Sequence, residues 1–195
     1  MSYLKEYRYK VILTESFKVI HKCPKCGQKT LFINTHCFRI NANGSRLDVW
    51  LIYHCEKCKH TKNLTLLERV APHQIPPQKY KQFLTNDYSL AEAFGKRKSF
   101  FQRNKVEISR KDLSYELKSC MQEDIDLYLA SKEGVSFVVE DEYGLDIRIE
   151  NILATLLGYS NSKVRGLMKK GMITASKDIG SHKEVTYTYA IQSLE

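Results

Sequence analysis

His21-Lys22-Cys23-Pro24-Lys25-Cys26-Gly27, answered after a 28-residue spacer by His54-Cys55-Glu56-Lys57-Cys58, is the stretch from which the rest of the chain is read. Two Cys-x-x-Cys pairs supply four thiolates, the number a tetrahedral Zn²⁺ site requires, and each pair closes half of the tetrahedron from one tight turn. The expected ligands are Cys23, Cys26, Cys55 and Cys58. Four protein sulfurs leave no coordination position for water, so the expected metal is structural. Iron also accepts four sulfurs. Two disulfides would use the same residues, but the chain starts without the apolar core of a secretory signal, and a reducing compartment argues against them. A redox Cys-x-x-Cys would not need its twin. His36, His54 and His60 lie near enough in sequence for one to replace a sulfur, while Cys37 and Cys120 lack the spacing and are expected to be small buried hydrophobes.

The spacer reads as a β-hairpin. Thr30 to Ile40 and Arg46 to Tyr53 are strand-like, and Asn43-Gly44 between them suits a turn needing positive φ. Folding back there brings the second cysteine pair toward the first, and Asn63 to Glu68 would complete the three-stranded sheet of a zinc ribbon. Such a sheet has too small a core to stand alone, so metal binding would supply much of its folding free energy. Tyr7 to Leu13 alternates and is expected to extend the same sheet.

The 195 residues suggest one or two domains, and 43% hydrophobic content suffices for a packed core. No apolar run approaches the ~20 residues of a membrane span, and a cytoplasmic location is expected. The net charge of +9 is uneven: residues 1–83 carry 15 basic and 5 acidic side chains, whereas residues 119–144 carry 1 and 7. A basic surface attracts nucleic acid by counterion release; the same lysines could equally serve solubility.

Ala71-Pro72-His73-Gln74-Ile75-Pro76-Pro77 holds three of the four prolines and reads as a linker. From Gln78 to Asn104 the pattern is helical, with Tyr80, Phe83 and Leu84 on one face and Asp87 or Ser89 as a cap. Lys96 to Arg103 interleaves cations with Phe100 and Phe101. That mixture fits a single-stranded nucleic-acid surface, but an amphipathic helix with core phenylalanines is the preferred reading. Short strands are expected over 106–143, from the alternation of Leu113, Tyr115 and Leu117, of Ile125, Leu127 and Leu129, and from Ser136 to Val139. The acidic runs Glu123-Asp124-Asp126 and Glu140-Asp141-Glu142 lack the pattern of a calcium loop and read as solvated faces and turns. The expected organisation is α+β: a zinc ribbon over 1–71, a linker and helical segment over 72–105, and an α+β domain over 106–195 containing a helix pair at 146–173, with Val185 to Ile191 as a strand closing that domain.

In that pair, Asp146 is the expected N-cap. Ile149, Ile152, Leu153, Leu156 and Leu157 form an apolar stripe, and Gly158 is suited to a left-handed cap. Ser160 caps a second helix whose buried face is Val164, Leu167 and Met168 and which Gly171 stops. Lys163, Arg165, Lys169 and Lys170 lie away from that face. Asp146 to Ile173, with its loose Arg148-Ile149-Glu150 match to an Arg-Leu-Asp-like opening and its Leu-Gly-x-Ser-x-Ser run before a basic helix, resembles the ribosomal-protein S4-type RNA-binding domain. The resemblance implies RNA binding through Arg148, Lys163, Arg165, Lys169 and Lys170. Asn161 stands where that family commonly has Arg, and its Val-Asn-Gly turn is absent. The whole chain, with Asn41 to Tyr53 in the amino-terminal half and this tail, is similar to an uncharacterised bacterial family, domain of unknown function 1062.

The expected function is non-enzymatic binding of structured RNA, ribosomal or transfer RNA, through the basic helix and the basic ribbon surface. The alternative is a zinc-scaffolded adaptor for a protein partner, with exposed Trp or Tyr residues as anchors, while Trp50, flanked by Val49 and Leu51, is expected in the ribbon core. There is no phosphate-binding Gly-rich loop, no His-Glu-x-x-His, and no local setting for a Ser or Cys nucleophile.

Overall fold

Period-two patterning becomes ten strands among the described residues of the computed structural model, which are 5–111, 113–120, 135–145, 147–179 and 185–191. They form two five-stranded sheets, accompanied among the described residues by five α-helices and one 3-10 turn, so the class is α+β. The chain divides into two compact units, one of residues 13–114 and the other of residues 1–12 together with 115–195. These units cut across the linear order 1–71, 72–105, 106–195.

The 13–114 unit contains β2 (Lys18–Lys22), β3 (Lys29–Asn43), β4 (Arg46–Cys55), β5 (Thr61–Val70) and β6 (Glu107–Ser109), in the order β5-β4-β3-β2-β6. Every pairing is antiparallel. On β4, Leu47, Val49, Leu51, Tyr53 and Cys55 are buried and alternate with half-buried neighbours, as a strand with one core face requires. That core also receives α1 (Pro77–Leu84), α2 (Tyr88–Gly95) and α3 (Lys98–Arg103), through Phe83, Ala91, Phe94, Phe100 and Phe101. The Phe101 ring stands edge-on to Phe17 at 5.9 Å and to Tyr53 at 6.1 Å, a geometry that adds to the roughly 1.5–3 kcal/mol of burying each such side chain. Phe100 and Phe101 are therefore core, and their rings are not available to stack on bases.

The cysteine-bearing sheet has five strands, not the three expected of a zinc ribbon, because β2 pairs with β3 and β6 with β2 at one edge. Asn43 pairs with Arg46, so the two loop residues are Gly44 and Ser45, and only Gly44 has positive φ (61°), the pattern of a type II′ turn. The proline-rich stretch is a one-turn 3-10 helix, Pro72–Gln74, leading into Pro77 at the start of α1, and Ile75 within it is buried in this unit. Asp87 is the cap of α2, its carboxylate accepting from Leu90 N at 2.7 Å. Leu84 is 59% exposed and is not part of the apolar face. Cys37 and Cys120 are exposed, not buried.

Gly95 ends α2 where it meets the segment before β2. Its carbonyl accepts from Phe17 N at 2.8 Å, and a Cβ would meet Ser16 Oγ, Ser16 Cβ and Asn34 Nδ2 at 2.8 Å or less. Ser16 is buried and hydrogen-bonded, so it cannot move aside cheaply. Gly95→Ala is expected to cost about 1–3 kcal/mol, as overpacking does; a denaturant midpoint equal to that of the wild type would contradict this.

The other unit contains β7 (Tyr115–Ser119), β1 (Lys5–Leu13, to residue 12), β8 (Val135–Asp141), β10 (Val185–Ile191) and β9 (Ile173–Ile179), in the order β7-β1-β8-β10-β9. β1 does not extend the cysteine-bearing sheet: it runs parallel to β8, with Tyr7 opposite Phe137. β10 pairs antiparallel with both β8 and β9, placing it inside the sheet. Tyr7, Tyr9 and Val11 from β1 and Val135, Phe137 and Val139 from β8 share a core with Ile152, Leu153, Leu157 and Val164. The last four come from α4 (Ile149–Leu157) and α5 (Asn161–Lys169). Gly158 takes the left-handed conformation (φ 64°) after α4. Asp146 and the alternation at 125–129 lie outside the described residues, as does the acidic run 123–126. Of the later acidic run, Asp141 is fully buried and accepts from Tyr143 N at 3.0 Å and Leu145 N at 2.7 Å, holding the turn after β8.

Candidate metal centre

The two Cys-x-x-Cys sequences form the turns that join β2 to β3 and β4 to β5, at the same end of one sheet. The turns are built alike. Gly27 N donates to Cys23 O at 2.9 Å and Lys59 N to Cys55 O at 2.9 Å, while Cys23 N donates to Gln28 O at 2.9 Å and Cys55 N to His60 O at 2.8 Å. Each turn needs a left-handed residue four places after its first cysteine: Gly27 (φ 70°) in one and Lys59 (φ 62°) in the other. A side chain in that conformation costs about 1–2 kcal/mol, partly offset by the greater chain freedom that glycine loses on folding. Lys59→Gly is therefore expected to raise the stability of the metal-loaded protein by about 0.5–1 kcal/mol, and Gly27→Ala to lower it; a lowered melting temperature for Lys59→Gly would contradict the equivalence of the two turns.

Pairing of β3 with β4 sets Cys55 opposite Phe32 and carries the second turn against the first. The four Sγ atoms all lie within 4.8 Å of one another, with Cys23 Sγ 3.4 Å from Cys58 Sγ and Cys26 Sγ 3.9 Å from Cys55 Sγ. No disulfide joins them. A metal about 2.3 Å from each of four sulfurs would set them about 3.8 Å apart in a tetrahedron, close to this spacing, whereas a disulfide needs about 2.05 Å. The four cysteines could thus hold a metal ion. None of the neighbouring histidines joins the cluster: His54 Nε2 lies 3.4 Å from Lys59 Nζ, and His36 Nε2 is 2.7 Å from Glu92.

Thr30, buried at the start of β3, places its hydroxyl 3.2 Å from Cys55 Sγ. The thiols consequently differ in acidity. Burial acts upward on Cys55, but hydrogen bonds from the Thr30 hydroxyl and from the backbone of Cys58 and Lys57 outweigh it and bring this thiol down to about 6. Hydrogen bonding with the Cys58 sulfur, then burial, pushes Cys26 up to about 12. A cation that takes all four as thiolates must displace protons, so its affinity falls in acid. Burial first, then the Lys62 charge, lowers the His21 pKa, and burial with Lys59 lowers that of His54.

Residues 40–179 match the family described as a protein of unknown function, DUF1062. The chain belongs to this family. The DUF1062 match opens inside β3, so it takes in Cys55 and Cys58 but not Cys23 and Cys26, and it runs through α5 to the end of β9. No curated protein and no solved structure matches this DUF1062 chain significantly.

The cations expected to serve RNA lie in the other unit. Arg148, Lys163, Arg165, Lys169 and Lys170 are all exposed. Lys163 Nζ sits 3.5 Å from the centre of the Tyr159 ring, and Arg165 Nε donates to Asn161 O at 3.3 Å. Ser160 caps α5 by accepting from Lys163 N at 3.3 Å, and Gly171 (φ 73°) follows its end.

Sequence reasoning missed a polar cluster around an irregularity in β3. The β3–β4 register shifts between Asn34 and Phe38, and His36 there has φ 59°. Buried Glu92 of α2 accepts from Ser16 Oγ at 2.8 Å, lies 2.7 Å from His36 Nε2 and pairs with Lys96 at 3.1 Å. Asn34 joins by donating to Ser16 Oγ at 2.9 Å. Only the run of β-prone residues broken at Thr35-His36-Cys37 hinted at a bulge. Burial acts upward on the Glu92 carboxyl, but hydrogen bonds from His36, Ser16 and Lys96 outweigh it and hold its pKa below the usual glutamate value. A carboxyl with a depressed folded pKa adds stability above its unfolded pKa and loses it as pH falls through the folded one. The stability difference between wild type and Glu92→Gln is thus expected to be full near neutrality and to shrink below about pH 4.3; a difference constant down to pH 3 would contradict it.

Proposed function

We propose that the chain is a zinc-scaffolded, non-enzymatic protein that binds nucleic acid, most directly structured RNA such as ribosomal or transfer RNA. Charge placement carries this reading. The 13–114 unit holds 19 basic and 8 acidic side chains, and four thiolates with one Zn²⁺ would leave it strongly basic. The remaining residues hold 12 basic and 14 acidic, so the exposed cations of α5 are a local basic face on an otherwise acidic unit. Lys and Arg contacts to phosphate would supply affinity, and RNA shape most of the selectivity. The S4-like pattern of residues 146–173 supports RNA over DNA. Zinc is favoured over iron because a four-sulfur site serving only to hold two turns uses no redox chemistry; metal analysis and the absence of iron-thiolate absorption would separate them.

Binding of total cellular RNA across a salt series tests the reading. Affinity should fall linearly on logarithmic axes. The adaptor reading is favoured by one observation, the exposure of Leu84 (59%) and Tyr88 (62%) at neighbouring ends of α1 and α2. A stoichiometric protein partner that survives nuclease treatment, together with absent RNA binding, would select it. No helix among the described residues is long and apolar enough to cross a membrane.

A further inference from the structure

The β2–β3–β6 edge of the metal-bearing sheet has two unlike faces. Val19 and Phe32 are register partners on the face that enters the core. Ile20 and Leu31, paired with each other, lie on the opposite face and are half-buried, with the exposed Lys22–Lys29 pair one step along. At this edge lies a cleft of about 490 Å³, within the size range of ligand sites. Ile20, Leu31 and Ile108 give it an apolar lining, and exposed Lys29, Arg110 and Lys111 bring three cations to it against one carboxylate, Glu107. Among the described residues, none of the three cations is engaged in an ion pair.

We infer that this cleft takes a single-stranded segment of nucleic acid, its phosphates on Lys29, Arg110 and Lys111 and a base against Ile20 and Leu31. The inference rests on the nucleic-acid reading above and adds to it a second contact surface, separate in sequence from α5. Charge complementarity selects the occupant: a polyanion with flat apolar faces satisfies both a cationic rim and an apolar floor. The metal centre supports the same surface. Lys29 and Leu31 leave the first cysteine turn directly, and Thr30 between them contacts Cys55 Sγ, so the turns that the sulfurs hold together also fix one wall of the cleft.

The test uses the full zinc-loaded chain and a fluorescent oligouridylate of about ten nucleotides. Replacing Lys29, Arg110 and Lys111 by Ala should weaken binding at least tenfold and reduce the salt slope by about 2, since each single-strand phosphate contact contributes about 0.7. Replacing exposed Arg39, Lys81 and Arg103, which remove the same charge from the same unit outside the cleft, should do much less. Wild-type binding that the cleft variant leaves unchanged, or that the control variant weakens equally, overturns the cleft and leaves the RNA reading standing. A wild type that binds neither the oligonucleotide nor total RNA removes the reading, and the cleft with it.

Discussion

Cys55→Ser is expected to abolish stoichiometric metal retention and to loosen the two cysteine turns before any other part of the 13–114 unit. Cys55 is the sulfur most closely built in: it is fully buried, it contacts Thr30 and Cys26, and its backbone closes the second turn through Lys59 and His60. Structural zinc contributes on the order of 10–16 kcal/mol of apparent binding free energy, comparable with the whole stability of an ordinary domain, about 5–15 kcal/mol. The five-stranded sheet and its three helices give the unit a core of its own, so loss of the metal acts first where the sulfurs sit. Even 3 kcal/mol would lower the melting temperature by about 12–24 °C in a unit of this size. Hydrogen exchange should quicken first at the Gly27 and Lys59 amides, which donate within the turns. Chelation of the wild type should reproduce the effect. A Cys55→Ser protein that keeps one metal per chain and its melting temperature would refute a structural four-sulfur site.

The second large effect is expected from replacing Lys163, Arg165, Lys169 and Lys170 of α5 by Ala. If all four meet phosphates of structured RNA, the salt slope should flatten by about 3–4, at about 0.9 per contact. Folding should survive, because Val164, Leu167 and Met168, which pack on the core, are untouched and Ala favours helix. Lys169 and Lys170 at the helix C-terminus complement its dipole, so a loss of about 0.3–1 kcal/mol of stability is tolerable. Lys163 must leave the Tyr159 ring and Arg165 the Asn161 carbonyl to reach phosphate, which makes Lys169 and Lys170 the stronger contributors. A variant with the wild-type slope would move recognition off this helix.

The parts of the fold that were legible in the sequence are those set by neighbours in the chain. The β3–β4 hairpin, the cap at Asp87, the Gly158 and Gly171 stops, and the buried stripes of α4 and α5 all follow from spacings of a few residues. The four sulfurs were legible because metal geometry demands residue types at fixed spacing, and the structure brings those four together. What escaped was long-range pairing. Strand β1 lies parallel to β8, across more than a hundred residues that fold as the other unit, and nothing local distinguishes that partner from the nearer β2. The same blindness placed β1 in the sheet that carries the cysteines. Lys59 was missed as the counterpart of Gly27 because a lysine does not announce positive φ. The Glu92 cluster was missed because its members, Ser16, Asn34, His36 and Glu92, are ordinary residues in three separate stretches. Cys37 and Cys120 were misjudged since composition predicts average burial, not the burial of one residue.

The most direct measurement is equilibrium binding of the zinc-loaded wild-type protein to total cellular RNA at salt concentrations from about 50 to 200 mM. Binding is expected whose logarithm falls linearly with the logarithm of salt, with a slope of several units. Absent binding, or binding indifferent to salt, would contradict it.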